Sequence, residues 1–445
     1  MSAAIKRSPQ SFIILTYGCQ MNVRDSETMA GLLNMAGMTE TGALEEADVV
    51  ILNTCGVRHS AENKVFGKLG EIKKMKKEKP ETLIAVGGCM SQLADARKKL
   101  TQLGADVVFG PNNISELPEL IKQVSENSRP VVKIMETIDI EKEKLPARHK
   151  PGISAFVNVM YGCNNFCSYC VVPYTRGRER SRGSADIIDE IRNLAGQGYK
   201  EITLLGQNVN SYGSGLKEKI TFAGLLAKLQ DIEGIKRFRF TTSHPKDISD
   251  ELIEVIGAYD KICNHIHMPL QAGSDQILRA MNRGYDTGQY LQLIDKIRMA
   301  VPEAAITSDL IVGFPGEEDG DFEDTLEMVE RIRFDAAFIF MYSPRGGTKA
   351  AAMDKQVPLQ VKKDRINLLL ERQYAIAAEI NKSLENTVQE VLVEGFSKTD
   401  PGKLTARTGT NRIVNFTGPD TLSGQTIAVK ITHSGTFSLL GEMCQ

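Results

Sequence analysis

The sequence predicts an α/β protein of three units: an N-terminal parallel-sheet α/β domain, a central partial TIM-like (β/α)6 barrel and a C-terminal small OB-like β-barrel. Three observations predict this order. Short apolar, β-rich runs alternate with helical patterns through most of the chain, as parallel-sheet units require. A charged stretch with two prolines, Glu136 to Gly152, breaks that alternation and reads as a linker. After a last helical pattern, about Val361 to Asn381, only short β-rich segments separated by Gly or Asp remain. A length of 445 residues allows about three domains, each with its own core.

The first unit, residues 11–135, carries strand patterns at Phe12–Thr16, Asp48–Leu52, Leu83–Val86 and Asp106–Phe109, with helical patterns between them. The second, residues 153–355, repeats strand then helix. Its candidate strands are Phe156–Met160, Glu201–Leu205, Arg237–Thr241, His265–Met268, Ile306–Val312 and Ala337–Tyr342. Six such steps fall two short of a closed barrel, and such barrels bind ligands at the C-terminal ends of their strands. The third unit, residues 383–445, reads as strands at Val388–Val393, Leu404–Thr408, Arg412–Phe416 and Thr426–Thr432.

With 25% charged and 42% hydrophobic residues the composition is that of an ordinary soluble protein. No apolar run approaches the ~20 residues that span a bilayer. Met1 to Gln10 lacks the apolar core of a signal peptide, so a cytoplasmic protein without a membrane partner is expected. A net charge of −2 does not by itself advertise a nucleic-acid binder; local charge is the better guide. Arg176, Arg178, Arg180 and Arg182 alternate along one loop, and Arg407 and Arg412 flank Gly409 in a hairpin pattern of the third unit. These six are the candidate contacts for a phosphate backbone.

Chemistry concentrates in the cysteines. Cys163, Cys167 and Cys170 form a C-x3-C-x2-C run at the end of the first barrel strand. A structural zinc or a closed iron–sulfur cluster takes four protein ligands, whereas three leave one metal atom open for chemistry. Cys19, Cys55 and Cys89 lie far apart, yet each follows a β-rich run directly and precedes a helical pattern. In an open parallel sheet the loops after strand ends meet at one crevice, so these thiols form a second open site. Cys263 reads as core packing and Cys444 has no role. Polar residues close the other barrel strands, among them Gln207, Ser243 and Asp309 as candidate cofactor contacts.

The Cys163–Cys170 run resembles that of the radical S-adenosylmethionine enzymes. The motifs Thr16-Tyr17-Gly18-Cys19-Gln20-Met21-Asn22, Asn53-Thr54-Cys55-Gly56-Val57-Arg58 and Gly87-Gly88-Cys89-Met90 extend the likeness. So does Val171-Val172-Pro173-Tyr174-Thr175-Arg176-Gly177-Arg178-Glu179-Arg180-Ser181-Arg182. Together they resemble the tRNA 2-methylthioadenosine synthases, the MiaB family of methylthiotransferases. The segment Thr408 to Phe416 resembles the TRAM domain that those enzymes use to hold RNA.

The resemblance implies two 4Fe–4S clusters and S-adenosyl-L-methionine as cofactors. One cluster would sit on Cys163, Cys167 and Cys170, the other on Cys19, Cys55 and Cys89. One S-adenosylmethionine donates its methyl group to sulfur at the second cluster. Another is cleaved at the first to a radical that takes hydrogen from C2 of N6-isopentenyladenosine next to the anticodon. That C–H bond is not acidic, so a cofactor must carry the hard chemistry. The implied partners are the tRNA anticodon stem-loop, a flavodoxin- or ferredoxin-type reductant, and a sulfur donor or cluster-repair protein, with the chain a monomer. Sister enzymes acting on threonylcarbamoyladenosine or on a ribosomal-protein aspartate share the chemistry. A non-catalytic, metal-stabilised RNA-binding protein is the rival of another class. It needs closed four-ligand sites, and the sequence offers none.

Overall fold

In the first unit, strands with every residue buried must be covered on both faces, and Val49–Thr54 is such a strand. The computed structural model describes residues 8–56, 59–127, 129–135, 146–149 and 151–444. Its N-terminal sheet is six-stranded and wholly parallel. The order is Thr39–Glu40, Ser11–Thr16, Val49–Thr54, Leu83–Gly88, Val107–Phe109, Val131–Lys133. Alternate residues serve opposite faces. Val49 and Ile51 pack with Met29 and Leu33 of helix Gln20–Met35. Val50 and Leu52 pack with Leu69 and Ile72 of helix His59–Glu78. The helices after the first and the third strand therefore leave on opposite faces, and a crevice opens between those neighbouring strands.

Four of these strands answer the sequence patterns; the edge strands Thr39–Glu40 and Val131–Lys133 do not. The expected linker lies mostly outside the described residues. Among the described residues no helix is long and apolar enough to cross a membrane.

The central unit contains six parallel strands in two groups of three. Arg237–Phe240, Glu201–Leu205 and Ser154–Asn158 form one group. His265–His267, Ala305–Val312 and Ala336–Met341 form the other. A parallel bridge from Phe238 to Ile262 joins them. Ser154–Asn158 and Ala336–Met341 are in different sheets and do not pair, so the barrel stays open. The first strand ends two residues before the expected Met160. That residue instead joins the short strand Met160–Tyr161, antiparallel to Arg180–Ser181, which closes the cysteine loop at its base.

Helix Leu359–Lys382 leads to a closed five-stranded barrel. Ser438–Met443 supplies a fifth strand beyond the four expected. It pairs parallel to Ile413–Phe416 and antiparallel to Thr426–Ser434. The hairpin Thr408–Arg412 lies under the floor of the central barrel. There Arg239 donates to Thr408 O at 2.7 Å and Gly409 O at 3.0 Å, while Arg237 donates to Arg407 O at 2.5 Å.

Candidate metal centres

The first triplet is assembled by three adjacent strands. Cys19, Cys55 and Cys89 directly follow Ser11–Thr16, Val49–Thr54 and Leu83–Gly88 or their turns, at the same edge of the sheet. The loops touch. A Cβ on Gly18 would stand 2.8 Å from Cys55 Cβ, and one on Gly56 would stand 3.2 Å from the Cys89 carbonyl oxygen. Asn22, fully buried, stitches them together. Its Oδ1 accepts from Cys19 N at 3.3 Å, and its Nδ2 donates to Asn53 Oδ1 at 3.1 Å and Thr54 O at 3.2 Å. Cys19 and Cys55 thus border the crevice between the first and third strands.

The second triplet is carried by one loop. Gly162, at φ +74°, could bear no side chain, since a Cβ would meet Arg178 O at 2.1 Å. Cys163 N donates to Gly177 O at 3.2 Å and Cys170 N to Cys167 O at 2.9 Å. The segment Ala280–Arg283 clasps the loop from outside. Ser168 Oγ donates to Ala280 O at 2.8 Å, and Asn282 Nδ2 to Phe166 O at 3.1 Å. Arg283, buried, donates to Cys167 Sγ at 3.3 Å and to Pro269 O at 3.0 Å. Burial works against its charge, but Tyr169, Tyr285 and Cys167 outweigh this and hold the guanidinium ionised.

Burial pushes the Cys170 thiol up to about 12, with neighbouring Cys167 adding to the effect, and raises Cys163 as well. Such thiols keep their protons until a metal displaces them. Among the described residues no group of three His, Cys, Asp or Glu is drawn tightly enough for a single metal ion. Two all-sulfur triplets without a fourth protein donor suit iron–sulfur clusters rather than zinc. The donor chemistry therefore fits the implied groups.

The remaining expected contacts divide. Gln207 accepts from Gly162 N, so it fixes the turn before Cys163. Ser243 is 3% exposed, and its hydroxyl has no partner among the described residues. Asp309 is half-buried, 3.6 Å from His267 Nε2 and paired in register with Phe338, whose ring is 57% exposed.

Of the arginines, Arg178 is exposed and stacks over the Phe166 ring at 4.4 Å, beside the exposed Tyr174. Arg180 is half-buried on its short strand. Arg176 and Arg182 are buried: the first pairs with Asp25 at 2.6 Å, the second with Glu190 at 2.7 Å. Arg407 pairs with Glu394 at 2.7 Å and Arg412 with Asp335. The alternation of charge placed Arg176 to Arg182 on one loop, whereas Arg180 lies on a short strand, and it did not reveal that most of the six are committed inside the protein. Asp25 and Arg283 were not singled out from the sequence, and Asn22 entered only within the Thr16–Asn22 motif, without a role. Only Asn22, three residues after Cys19, had a local signal. Cys263 is buried, as packing predicts, and Cys444 is exposed.

Residues 157–329 match the Radical SAM superfamily, residues 11–110 the Uncharacterized protein family UPF0004 and residues 382–444 the TRAM domain. Among solved structures, the radical S-adenosylmethionine methyltransferase TsrM from Kitasatospora setae, with tryptophan and a cofactor analogue bound, shares the fold. The TM-score is 0.58 at 12% identity, over 82% of this chain and 89% of that one. The cobalamin-dependent radical enzyme OxsB aligns with a TM-score of 0.54 at 13% identity, over 83% of this chain and 57% of that one. Among curated relatives, the tRNA-2-methylthio-N(6)-dimethylallyladenosine synthase of Syntrophomonas wolfei is 60% identical over 98% of both chains. The protein of the same name from Carboxydothermus hydrogenoformans is 50% identical over 98% of this chain and 99% of its own. At that identity and coverage, with all three units matched in order, the chain belongs to the tRNA-2-methylthio-N(6)-dimethylallyladenosine synthase family.

Proposed function

We propose that this chain is a radical S-adenosylmethionine transferase that adds a methylthio group to C2 of N6-dimethylallyladenosine beside the anticodon of tRNA. The observation that carries the reading is the 60% identity to a synthase of that name across 98% of both chains. The two cysteine triplets supply the chemistry such a reaction needs. Cys163, Cys167 and Cys170 would hold one 4Fe–4S cluster, and Cys19, Cys55 and Cys89 the other. When bound, the first supplies the electron that cleaves S-adenosylmethionine and the second holds the sulfur to be transferred.

The protein's own contribution is placement. Gln207 fixes the turn at Gly162, and the Ala280–Arg283 segment locks the loop that carries the three thiols. Ser243 has an unpartnered buried hydroxyl available for S-adenosylmethionine, and Asp309 a half-buried carboxylate. Half-buried Phe166 and the exposed Tyr174 and Arg178 form an aromatic and cationic rim at the same loop. Unstacked RNA bases are commonly received on such side chains. We assign the anticodon stem-loop to that rim. A flavodoxin- or ferredoxin-type protein as reductant and a separate sulfur donor complete the proposal, for a monomer working in the cytoplasm.

The test is a reaction under anaerobic conditions with reconstituted protein, S-adenosylmethionine, a chemical reductant and tRNA bearing dimethylallyladenosine. Mass spectrometry of the digested nucleosides should reveal a methylthio adduct. Adduct only on a threonylcarbamoyladenosine tRNA supplied in parallel would move the chain to the sister specificity. No adduct on either, with both clusters loaded, would refute the reading. Cys55→Ala is expected to keep S-adenosylmethionine cleavage and lose transfer.

A further inference from the structure

Arg176 lies only six residues beyond Cys170, within the central unit, yet its side chain serves the other unit. Its Nε donates to Cys89 Sγ at 3.3 Å and its Nη2 to Asp25 Oδ2 at 2.6 Å. Asp25 stands on helix Gln20–Met35, which begins directly after Cys19. Both partners of this ion pair are 6% exposed. Besides Asp25, both Cys89 and Cys19 favour the charged guanidinium, against the penalty of burial. The helix Cys89–Gln92 packs on the helix Val172–Thr175 that precedes Arg176.

A single carboxylate already neutralises a buried guanidinium, so ion pairing does not account for the contact to sulfur. The planar fork of arginine can satisfy both partners at once, which a lysine point charge cannot. Donors and positive charge at a ligating sulfur stabilise the reduced, more negative form of an iron–sulfur cluster.

We propose that Arg176 is a positioning residue of the auxiliary site, raising the reduction potential of the cluster on Cys19, Cys55 and Cys89 through its hydrogen bond to Cys89. It rests on the assignment of that cluster made above. Asp25 sets the opposite limit: its carboxylate holds the guanidinium in place and offsets part of its charge.

The test uses the full chain with Cys163→Ala, Cys167→Ala and Cys170→Ala, which leaves one cluster, and follows its reduction by EPR during a redox titration. Adding Arg176→Gln should lower the potential by about 59 mV, a tenfold change in the reduced-to-oxidised ratio for one electron. Asp25→Asn should move it the other way. Arg176→Lys, which keeps charge without the fork, should fall between Arg176→Gln and the parent, and it replaces the glutamine variant if that fails to load iron. Opposite shifts support the proposal, because simple structural damage would move both variants alike. An unmoved potential, or shifts of one sign, would overturn it while leaving the cluster assignment standing. No iron in the parent protein would overturn the assignment, and the proposal with it.

Discussion

A methyl group on Gly18 would stand 2.5 Å from Asn22 Oδ1 and 2.8 Å from Cys55 Cβ, at a backbone φ of +142° that side-chain-bearing residues avoid. Gly18→Ala is therefore expected to cost about 1–3 kcal/mol locally and to push the Cys19 and Cys55 loops apart. Iron analysis should then fall from about eight to about four atoms per chain, the loss confined to one cluster. At the exposed rim, Tyr174→Ala is expected to weaken binding of an anticodon stem-loop by about 1–3 kcal/mol, the range for one stacked base. Fluorescence anisotropy reads that loss; unchanged affinity would remove the rim from the RNA path. Residues differ in how legible they were. A cysteine after a strand end announces itself through its neighbours in sequence. Arg176 and Arg178 look alike in sequence, and only the arrival of Cys89 and Asp25 from another unit separates the buried one from the exposed one. Arg283 carried no signal, because its sulfur partner, 116 residues away, is brought to it by the fold and not by the chain nearby.

Helices Gln20–Met35 and Ser184–Gly196 meet across the two cysteine-bearing units through one carboxylate. Glu190 takes Arg24 at 2.8 Å and Arg182 at 2.7 Å. A cavity of about 380 Å³ lies between these elements, walled in part by Asp25, Asn158, Arg176 and Glu190. Removing one partner of a buried ion pair leaves charge uncompensated, so Glu190→Gln is expected to destabilise the chain by about 3 kcal/mol, read as a lower thermal midpoint. The pH dependence has a definite sign. Burial opposes ionisation of Glu190, but Arg182 and Arg24 outweigh it and hold the carboxyl below its ordinary 4.5. Its stabilisation is complete above that value and is lost as pH falls through the lower folded value. The glutamine variant should lack this part of the acid slope. Element by element, the sequence patterns located the strands of the central unit, each followed by a helical pattern. They passed over Thr39–Glu40, which has two residues, and Val131–Lys133, whose side chains are largely exposed. Ser438–Met443 escaped because half-buried positions and Gly441 blur its alternation.

Across the whole molecule, the C-terminal barrel is fastened to the floor of the central one by Arg237, Arg239 and Arg412. His265 is buried just there, and burial, followed by Arg239, depresses it to about 3; His244 falls to about 2 through burial and Arg283. Both are neutral in the fold, whereas the unfolded chain takes up protons below about 6.5. Stability should therefore decline as pH drops from that value, by up to about 1.4 kcal/mol per unit for each histidine. Thermal midpoints of the metal-free chain between neutral and mildly acid pH measure it, and His265→Gln should flatten the decline. The three-unit order was legible because a charged, proline-bearing stretch separates two runs of strand–helix alternation, and only short β-rich segments follow the last helical pattern. The seat of one barrel on another was not, since Arg407 and Arg412 read equally well as contacts for phosphate. That seat has a mechanical meaning. The three arginines hold the C-terminal barrel at a fixed distance and angle from the central one, as a bolt holds a bracket to its frame.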